Sequence, residues 1–151
     1  MLESLLELGD YDLGVYFVDA GEITRLDEQF LNHLGPTDVI AFDYAEPGQS
    51  GALHGEVFVC VDEALAQAPR FHVSWQTELV RYIVHGVLHL RGYDDHRTGN
   101  RRRMKDVEGR LLSRLSARFG GSMGQIRNPK AEIRKKAEIR RPSQAERRKA
   151  P

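Results

Sequence analysis

The feature that most constrains this fold is a long apolar segment with helical spacing between Trp75 and Leu90. One stripe along it is formed by Val80, Ile83, Val84 and Val87. A helix that is apolar on nearly all sides has to be surrounded by protein, so we expect it to be central and buried. Ser74 stands where an N-cap is needed, and Gly92 stands where a helix can end.

Two histidines interrupt the apolar character of this helix. His85 and His89 are four residues apart, so they project from the same face. Gly92 allows the chain to reverse just beyond the helix, and Asp95 and His96 follow at once. Two helical histidines and a third ligand after a turn are typical of zinc sites. The spacing predicts one Zn²⁺ held by His85, His89 and either Asp95 or His96.

The residue after the first histidine separates this chain from zinc proteases. Metalloendopeptidases with a similar histidine pair carry a glutamate there, which acts as general base. Here the position is Gly86, so we expect hydrolysis by zinc-activated water on a substrate other than a peptide, with the general base unassigned. Glu78 shares the histidine face and is a candidate to orient a ligand.

The remaining elements indicate a small α/β domain. Predicted strands, rich in β-branched and aromatic residues, are residues 14–19, 38–44 and 55–62. Helices are predicted over residues 22–34, over a short segment capped by Asp62, and over a last segment capped by Thr98 or Asn100 and ending at Phe119. We expect an α+β-like sandwich, a mixed sheet of three to four strands packed with the central metal-binding helix.

The charges are unevenly distributed along the chain. The 22 Lys/Arg and 22 Asp/Glu residues balance overall, yet residues 128–151 carry nine Lys/Arg against three Asp/Glu. We therefore expect a domain over residues 1–121 and a basic, disordered tail over residues 122–151. Such a tail either contacts RNA without sequence preference or is a solvated extension.

The compartment is indicated by the thiol content and by hydropathy. Cys60 is the one cysteine of the sequence, which excludes an internal disulfide and is typical of a reducing cytoplasm. No apolar run approaches the ~20 residues that a membrane-spanning helix needs. No secretory signal is expected at the N-terminus. The sequence thus predicts a cytoplasmic protein without a membrane partner.

Three segments resemble one known family. HGVLHLRGYDDH (85–96) is similar to the signature of the YbeY family of bacterial metal-dependent endoribonucleases, and PTDVIAF (36–42) and GEVFVC (55–60) are similar to two of its strands. Met104 and Glu108 also fit the helix that follows the family's signature. The resemblance extends over residues 14–118. It implies a cytoplasmic, single-strand-specific endoribonuclease with one zinc, acting in 3′ end maturation of small-subunit ribosomal RNA and in ribosome quality control.

The chain departs from the family pattern at two functional positions. The family's third histidine corresponds to Asp95, which we prefer as third ligand because direct alignment needs no insertion; His96, one residue later, is the alternative. An arginine that the family usually carries corresponds to Leu31, which continues an apolar helix stripe and is expected in the core. His33 and Arg91 are then candidates to contact the scissile phosphate.

A group of basic residues follows the metal turn and is predicted to contact the RNA backbone: Arg97, Arg101, Arg102 and Arg103. The expected partners are ribosomal RNA and the small ribosomal subunit. The alternative hypothesis is a non-catalytic ribosome-assembly factor in which the zinc is structural.

Overall fold

The computed structural model describes residues 11–31, 37–45 and 53–119. Its elements in chain order are β1 (Tyr11–Val18), α1 (Ala20–Phe30), β2 (Val39–Asp43), β3 (Leu53–Cys60), α2 (Val61–Gln67), a 3₁₀ turn (Ala68–Phe71), α3 (Trp75–Leu90) and α4 (Thr98–Phe119). This confirms the predicted α/β class. The predicted tail over residues 122–151 and the candidate His33 lie outside the described residues.

The sheet is mixed and has three strands in the order β1-β3-β2. Strand β1 runs parallel to β3, and β2 runs antiparallel to it. Successive side chains of a strand point to opposite faces. Accordingly Val57 and Val59 enter one apolar cluster, while Phe58 and Cys60 enter the other.

Helices cover both faces of the sheet. Helix α1 packs Ile23 and Leu26 against Phe42 and Phe58. Helix α3 lies on the opposite face against β2 and β3, with α2 and α4 packed alongside it. The predicted central helix is therefore covered by the sheet on one side and by helices on others. No helix in the described part of the chain is both long and apolar enough to cross a membrane.

Both ends of α3 lie where the sequence predicts them. Ser74 Oγ accepts the backbone N–H of Thr77 at 3.2 Å and caps the first turn. At the other end, Gly92 takes a positive φ of 78°. Its N–H donates to the His89 carbonyl at 2.9 Å, and the N–H of Tyr93 donates to Leu88 at 3.0 Å. These two bonds form a Schellman motif, which reverses the chain just after the second histidine.

Gly86 has a packing role that the sequence did not indicate. It faces the sheet, and a Cβ built there would stand 2.6 Å from Val57 Cγ1 and 3.1 Å from Val39 Cγ2. The missing side chain therefore lets α3 approach the sheet closely. Close packing against Val57 and Val39 is therefore a physical reason for glycine at this position.

The expectation that Leu31 lies in the core is wrong. Helix α1 ends at Phe30, and Leu31 is its C-cap with 42% of its surface exposed. Each helical residue is rotated by about 100° from the one before it, so Leu31 turns away from the sheet that Phe30 contacts. The predicted helix over 22–34 also starts late, since α1 begins at Ala20.

The predicted cap of the short helix after β3 is wrong because another residue satisfies the backbone there. Helix α2 begins at Val61 and is capped by Cys60, whose Sγ accepts the N–H of Glu63 at 3.4 Å. Asp62 instead accepts, at 3.0 Å, the N–H of Ala20, the first residue of α1, whose N-cap is Asp19. The thiol of Cys60 is buried, and this burial raises its pKa, as expected for an unreactive core thiol.

Helix α4 includes both residues that were predicted to cap it. Its first residue is Thr98, and Asn100 lies in the first turn with its side-chain amide donating to Asp94 Oδ2 at 3.0 Å. The inward face of α4 is apolar as predicted, with Met104, Leu111 and Leu115 buried.

Candidate metal centre

Three potential ligand side chains converge at the C-terminal end of α3. The Nε2 atoms of His85 and His89 are 3.0 Å apart. The Asp95 carboxylate lies 3.8 Å from Nε2 of His85 and 3.9 Å from Nε2 of His89. One ligand atom from each residue fits within 4.8 Å of the others. Helical spacing aligns the two histidines, and the turn at Gly92 brings Asp95 back to them.

The chemistry and spacing of this group fit zinc. Two nitrogens each ~2.0–2.1 Å from a tetrahedral zinc ion lie about 3.4 Å apart. The Nε2 atoms of His85 and His89 are 3.0 Å apart, which is close to this separation. Two imidazoles and one carboxylate are a donor set of catalytic zinc sites, in which three protein ligands leave a fourth position open. The arrangement can therefore hold one zinc ion and still admit a water or a substrate oxygen.

Each imidazole is oriented from behind by a partner of its Nδ1 atom. His89 Nδ1 lies 3.1 Å from the carbonyl oxygen of Tyr93. Since a carbonyl can only accept, Nδ1 of His89 carries the proton and leaves the lone pair on Nε2. His85 Nδ1 lies 3.7 Å from Oε2 of Glu108, a buried residue of α4. Both rings therefore direct Nε2 toward the same point.

The two histidines have opposite pKa shifts in the metal-free protein. The Glu108 carboxylate raises the pKa of His85, against the opposing effect of burial. Burial, followed by the nearby His85, lowers the pKa of His89. A protonated His85 can thus donate its Nε2–H to the neutral Nε2 of His89 across their 3.0 Å contact. Zinc has to displace this proton in order to bind.

We expect the zinc affinity to fall as the pH drops through the raised pKa of His85. Below that pKa the Nε2 proton competes with zinc, and above it the lone pair is available. Glu108→Gln removes the carboxylate that raises this pKa, so the protonation midpoint obtained from the zinc dissociation constant measured at each pH should move to lower pH. At high pH the same variant should bind zinc roughly 10–100-fold more weakly. Competition with a chromophoric chelator across the pH range measures both; an unchanged midpoint would contradict the assigned role of Glu108.

The two candidates for third ligand differ in where they point. Asp95 is partly buried and faces both histidines. The His96 side chain is 92% exposed and lies near Asp94, 3.9 Å from its Oδ1. His96 belongs to a second, more exposed group of potential ligands with Asp94 and Asp95. The geometry therefore favours Asp95 as the partner of the histidine pair.

Asp94 fixes the turn that carries Asp95. Its Oδ1 accepts the backbone N–H of His96 at 2.9 Å, and its Oδ2 accepts the Asn100 amide. The hydrogen bond from His96 contributes most to the lowered pKa of Asp94. Asp94 thus stabilises the turn through hydrogen bonds, and Asp95 is the carboxylate of this loop that faces the histidines.

The arginines predicted to bind RNA lie on the exposed surface beside this loop. Arg101 Nε donates to the carbonyl oxygen of Asp95 at 2.9 Å, and the Arg103 guanidinium lies 5.8 Å from the ring centroid of Tyr93. Arg97 and Arg102 are also exposed. Arg91 is exposed as well, and its backbone N–H caps α3 by donating to Val87 and Leu88. Arg101 and Arg103 therefore also support the loop that carries Asp95.

Glu108 is the residue whose role the sequence analysis missed. It occupies the apolar face of α4 between Met104 and Leu111, and a carboxylate in that stripe is a signal that it has a buried partner. Glu78, the residue proposed to orient a ligand, instead pairs with Arg81 at 3.4 Å. Burial raises the pKa of Glu78.

Comparison with known proteins supports the resemblance. Residues 2–116 match the sequence profile of the family described as "Endoribonuclease YbeY". A protein of that name from Elusimicrobium minutum is 39% identical over 106 residues, which cover 69% of this chain and 74% of that protein. One from Aquifex aeolicus is 35% identical over 114 residues, covering 75% of this chain and 76% of its own length.

Two further matches differ in how much they cover. An endoribonuclease YbeY of Chlorobium luteolum is 42% identical over 91 residues, and the match spans 64% of its length, less than two thirds. A solution structure of a Thermotoga maritima protein superposes with a TM-score of 0.60 at 27% identity, covering 85% of both chains.

Proposed function

The chain belongs to the YbeY family of endoribonucleases, and on that basis we propose that it is a zinc-dependent enzyme that hydrolyses phosphodiester bonds of single-stranded RNA. The observation that carries this proposal is the convergence of His85, His89 and Asp95 within 4.8 Å. We place its action in the cytoplasm, in 3′ end maturation of small-subunit ribosomal RNA and in ribosome quality control.

Some residues of the site would bind the zinc ion, and others orient the side chains of those ligands. Nε2 of His85 and of His89 and the Asp95 carboxylate would hold the zinc, while Glu108 and the Tyr93 carbonyl keep the imidazoles in the ligating tautomer. When bound, zinc lowers the pKa of a coordinated water and offsets negative charge on the phosphate. Both histidines are partly buried. The electrostatic attraction between a bound ion and its ligands is therefore screened less than it would be in bulk water.

The basic surface beside the metal loop would hold the RNA backbone. Arg97 and Arg102 are exposed and carry guanidinium groups suited to phosphate. Arg101 and Arg103 lie on the same segment and tie it to Asp95 and Tyr93. Backbone contacts of this kind position a strand without reading its sequence. Ribosomal RNA in the small subunit is the proposed partner.

His85→Ala is expected to lower the rate of RNA cleavage by on the order of 10³-fold or more, because metal activation of water contributes several kcal/mol. Cleavage of a fluorescently labelled single-stranded RNA by zinc-loaded protein measures this. Since His85 is only partly buried, the variant should remain folded, which circular dichroism can verify.

The same assay separates the nuclease from the alternative, a ribosome-assembly factor with a structural zinc. If the unmodified protein retains zinc without cutting RNA, and His85→Ala unfolds it, the assembly-factor hypothesis is the better one.

A further inference from the structure

A cavity of about 400 Å³ opens directly beside the metal centre. His85 and Glu108 form the side next to the metal, and Phe71 and Arg81 form the far side. Its volume lies within the range of small-molecule sites, and it shares the His85 side chain with the metal centre. The cavity and the metal centre are therefore neighbours on the two sides of one imidazole ring.

Phe71 gives the far side of the cavity an apolar surface that faces solvent. It is the last residue of the 3₁₀ turn and is 58% exposed, more than any other large apolar residue described. His72 follows with a positive φ of 54° and its N–H bonded to Pro69 at 3.3 Å, which ends the turn. The Arg81 guanidinium carbon lies 6.0 Å from the ring centroid of Phe71. An aromatic ring beside a guanidinium is the kind of platform on which nucleobases stack.

The charges of the cavity favour a base over a phosphate. Its lining contains four carboxylates and one arginine: Asp38, Glu63, Glu78, Glu108 and Arg81. A phosphate would be repelled here and drawn instead to a zinc ion held by the ligands. Base edges that carry amino groups can donate to carboxylates.

Two buried polar atoms at the cavity wall still have hydrogen-bonding capacity. Glu78 Oε2 and Arg81 Nε form an ion pair at 3.4 Å, yet neither makes a hydrogen bond within the described residues. Buried polar atoms usually have hydrogen-bond partners. Polar groups of a bound base are suitable partners here.

We propose that Phe71 and Arg81 form a base-stacking subsite for the nucleotide next to the scissile phosphate, and that the adjoining carboxylates select a base bearing an amino group. This subsite rests on the proposed function, because the RNA phosphate at the metal brings the neighbouring base to the cavity. The subsite gives the enzyme a base preference at one nucleotide of the RNA strand. The arginines, in contrast, bind the backbone of the strand whatever its sequence.

Stopped-flow fluorescence with zinc-loaded protein tests the subsite before cleavage occurs. The probe is a single-stranded RNA hexamer carrying 2-aminopurine at each position in turn, since stacking on an aromatic ring quenches its fluorescence. We expect quenching at one position, and Phe71→Ala should abolish it and weaken binding roughly 10-fold, the loss of one base–aromatic stack. Phe71→Trp should restore both.

The matched control is Tyr11→Ala. Tyr11 is also exposed but pairs with Leu53, at the end of the sheet away from Asp38, and its replacement should leave binding unchanged. Uridine at the quenched position should bind several-fold more weakly than adenosine or cytidine. If the parent protein cleaves RNA but Phe71→Ala matches it in quenching and affinity, the subsite is refuted while the nuclease stands. If the parent neither binds nor cleaves RNA, the proposed function itself fails.

Discussion

Asp95→Ala is expected to lower the affinity for zinc by roughly 100-fold or more, beyond the 10–100-fold that loss of a ligand's outer partner costs. Asp95 presents its carboxylate to both histidines, and without it only two protein ligands remain. Isothermal titration of zinc into the metal-free protein, with metal analysis after gel filtration, measures the loss. RNA cleavage should fall in parallel.

His96→Ala is the matched control for that experiment. His96 is adjacent in sequence, yet its side chain is almost fully exposed beside Asp94, so its removal should leave zinc affinity within about twofold. The opposite result, with zinc lost in His96→Ala and retained in Asp95→Ala, would make His96 the third ligand. Stoichiometric zinc in a His85→Ala/His89→Ala double variant would show that the ion binds elsewhere.

Gly86→Ala should destabilise the protein by up to about 2 kcal/mol, although alanine is the better helix former. The new Cβ would stand 2.6 Å from Val57 Cγ1, and a valine side chain has little freedom to move away. Overpacking of this kind costs ~1–3 kcal/mol, and the ~1 kcal/mol gained in helix propensity offsets only its lower limit. The free energy of unfolding in urea provides the measurement.

Gly109→Ala isolates the propensity effect because a Cβ at Gly109, in α4, meets nothing within 4 Å. This substitution should stabilise the protein by about 0.5–1 kcal/mol. Opposite signs at the two glycines would establish that close helix–sheet contact governs Gly86. A stabilising Gly86→Ala would refute the contact.

Much of the metal centre was predictable because it depends on neighbours within two helical turns. The spacing of His85 and His89 placed both on one face, and Ser74 and Gly92 marked the ends of their helix. The strands were found from their β-branched runs, though β1 begins at Tyr11, three residues before its predicted start. The observed ends of helices and strands differ from the predicted ones where a residue's hydrogen-bonding partner is distant in sequence.

Asp62 illustrates why such boundaries were missed. Its position before a helical segment suggested a local cap. Its carboxylate instead accepts a hydrogen bond from the backbone N–H of Ala20, 42 residues earlier. Cys60 Sγ takes the expected role in its place. Local rules identify which residue types can cap a helix, but packing decides which helix each of them reaches.

The sequence by itself determined the two helical histidines, the chain reversal that follows them and the α/β class, since these follow from periodicity and turn chemistry over a few residues. Tertiary structure alone decided that Asp95 turns toward the histidines, that Glu108 of α4 reaches His85, and that Gly86 lies against Val57. These relations join different elements of the fold. They exist only once helices α3 and α4 and the sheet are packed together, because no local preference fixes the distance between them.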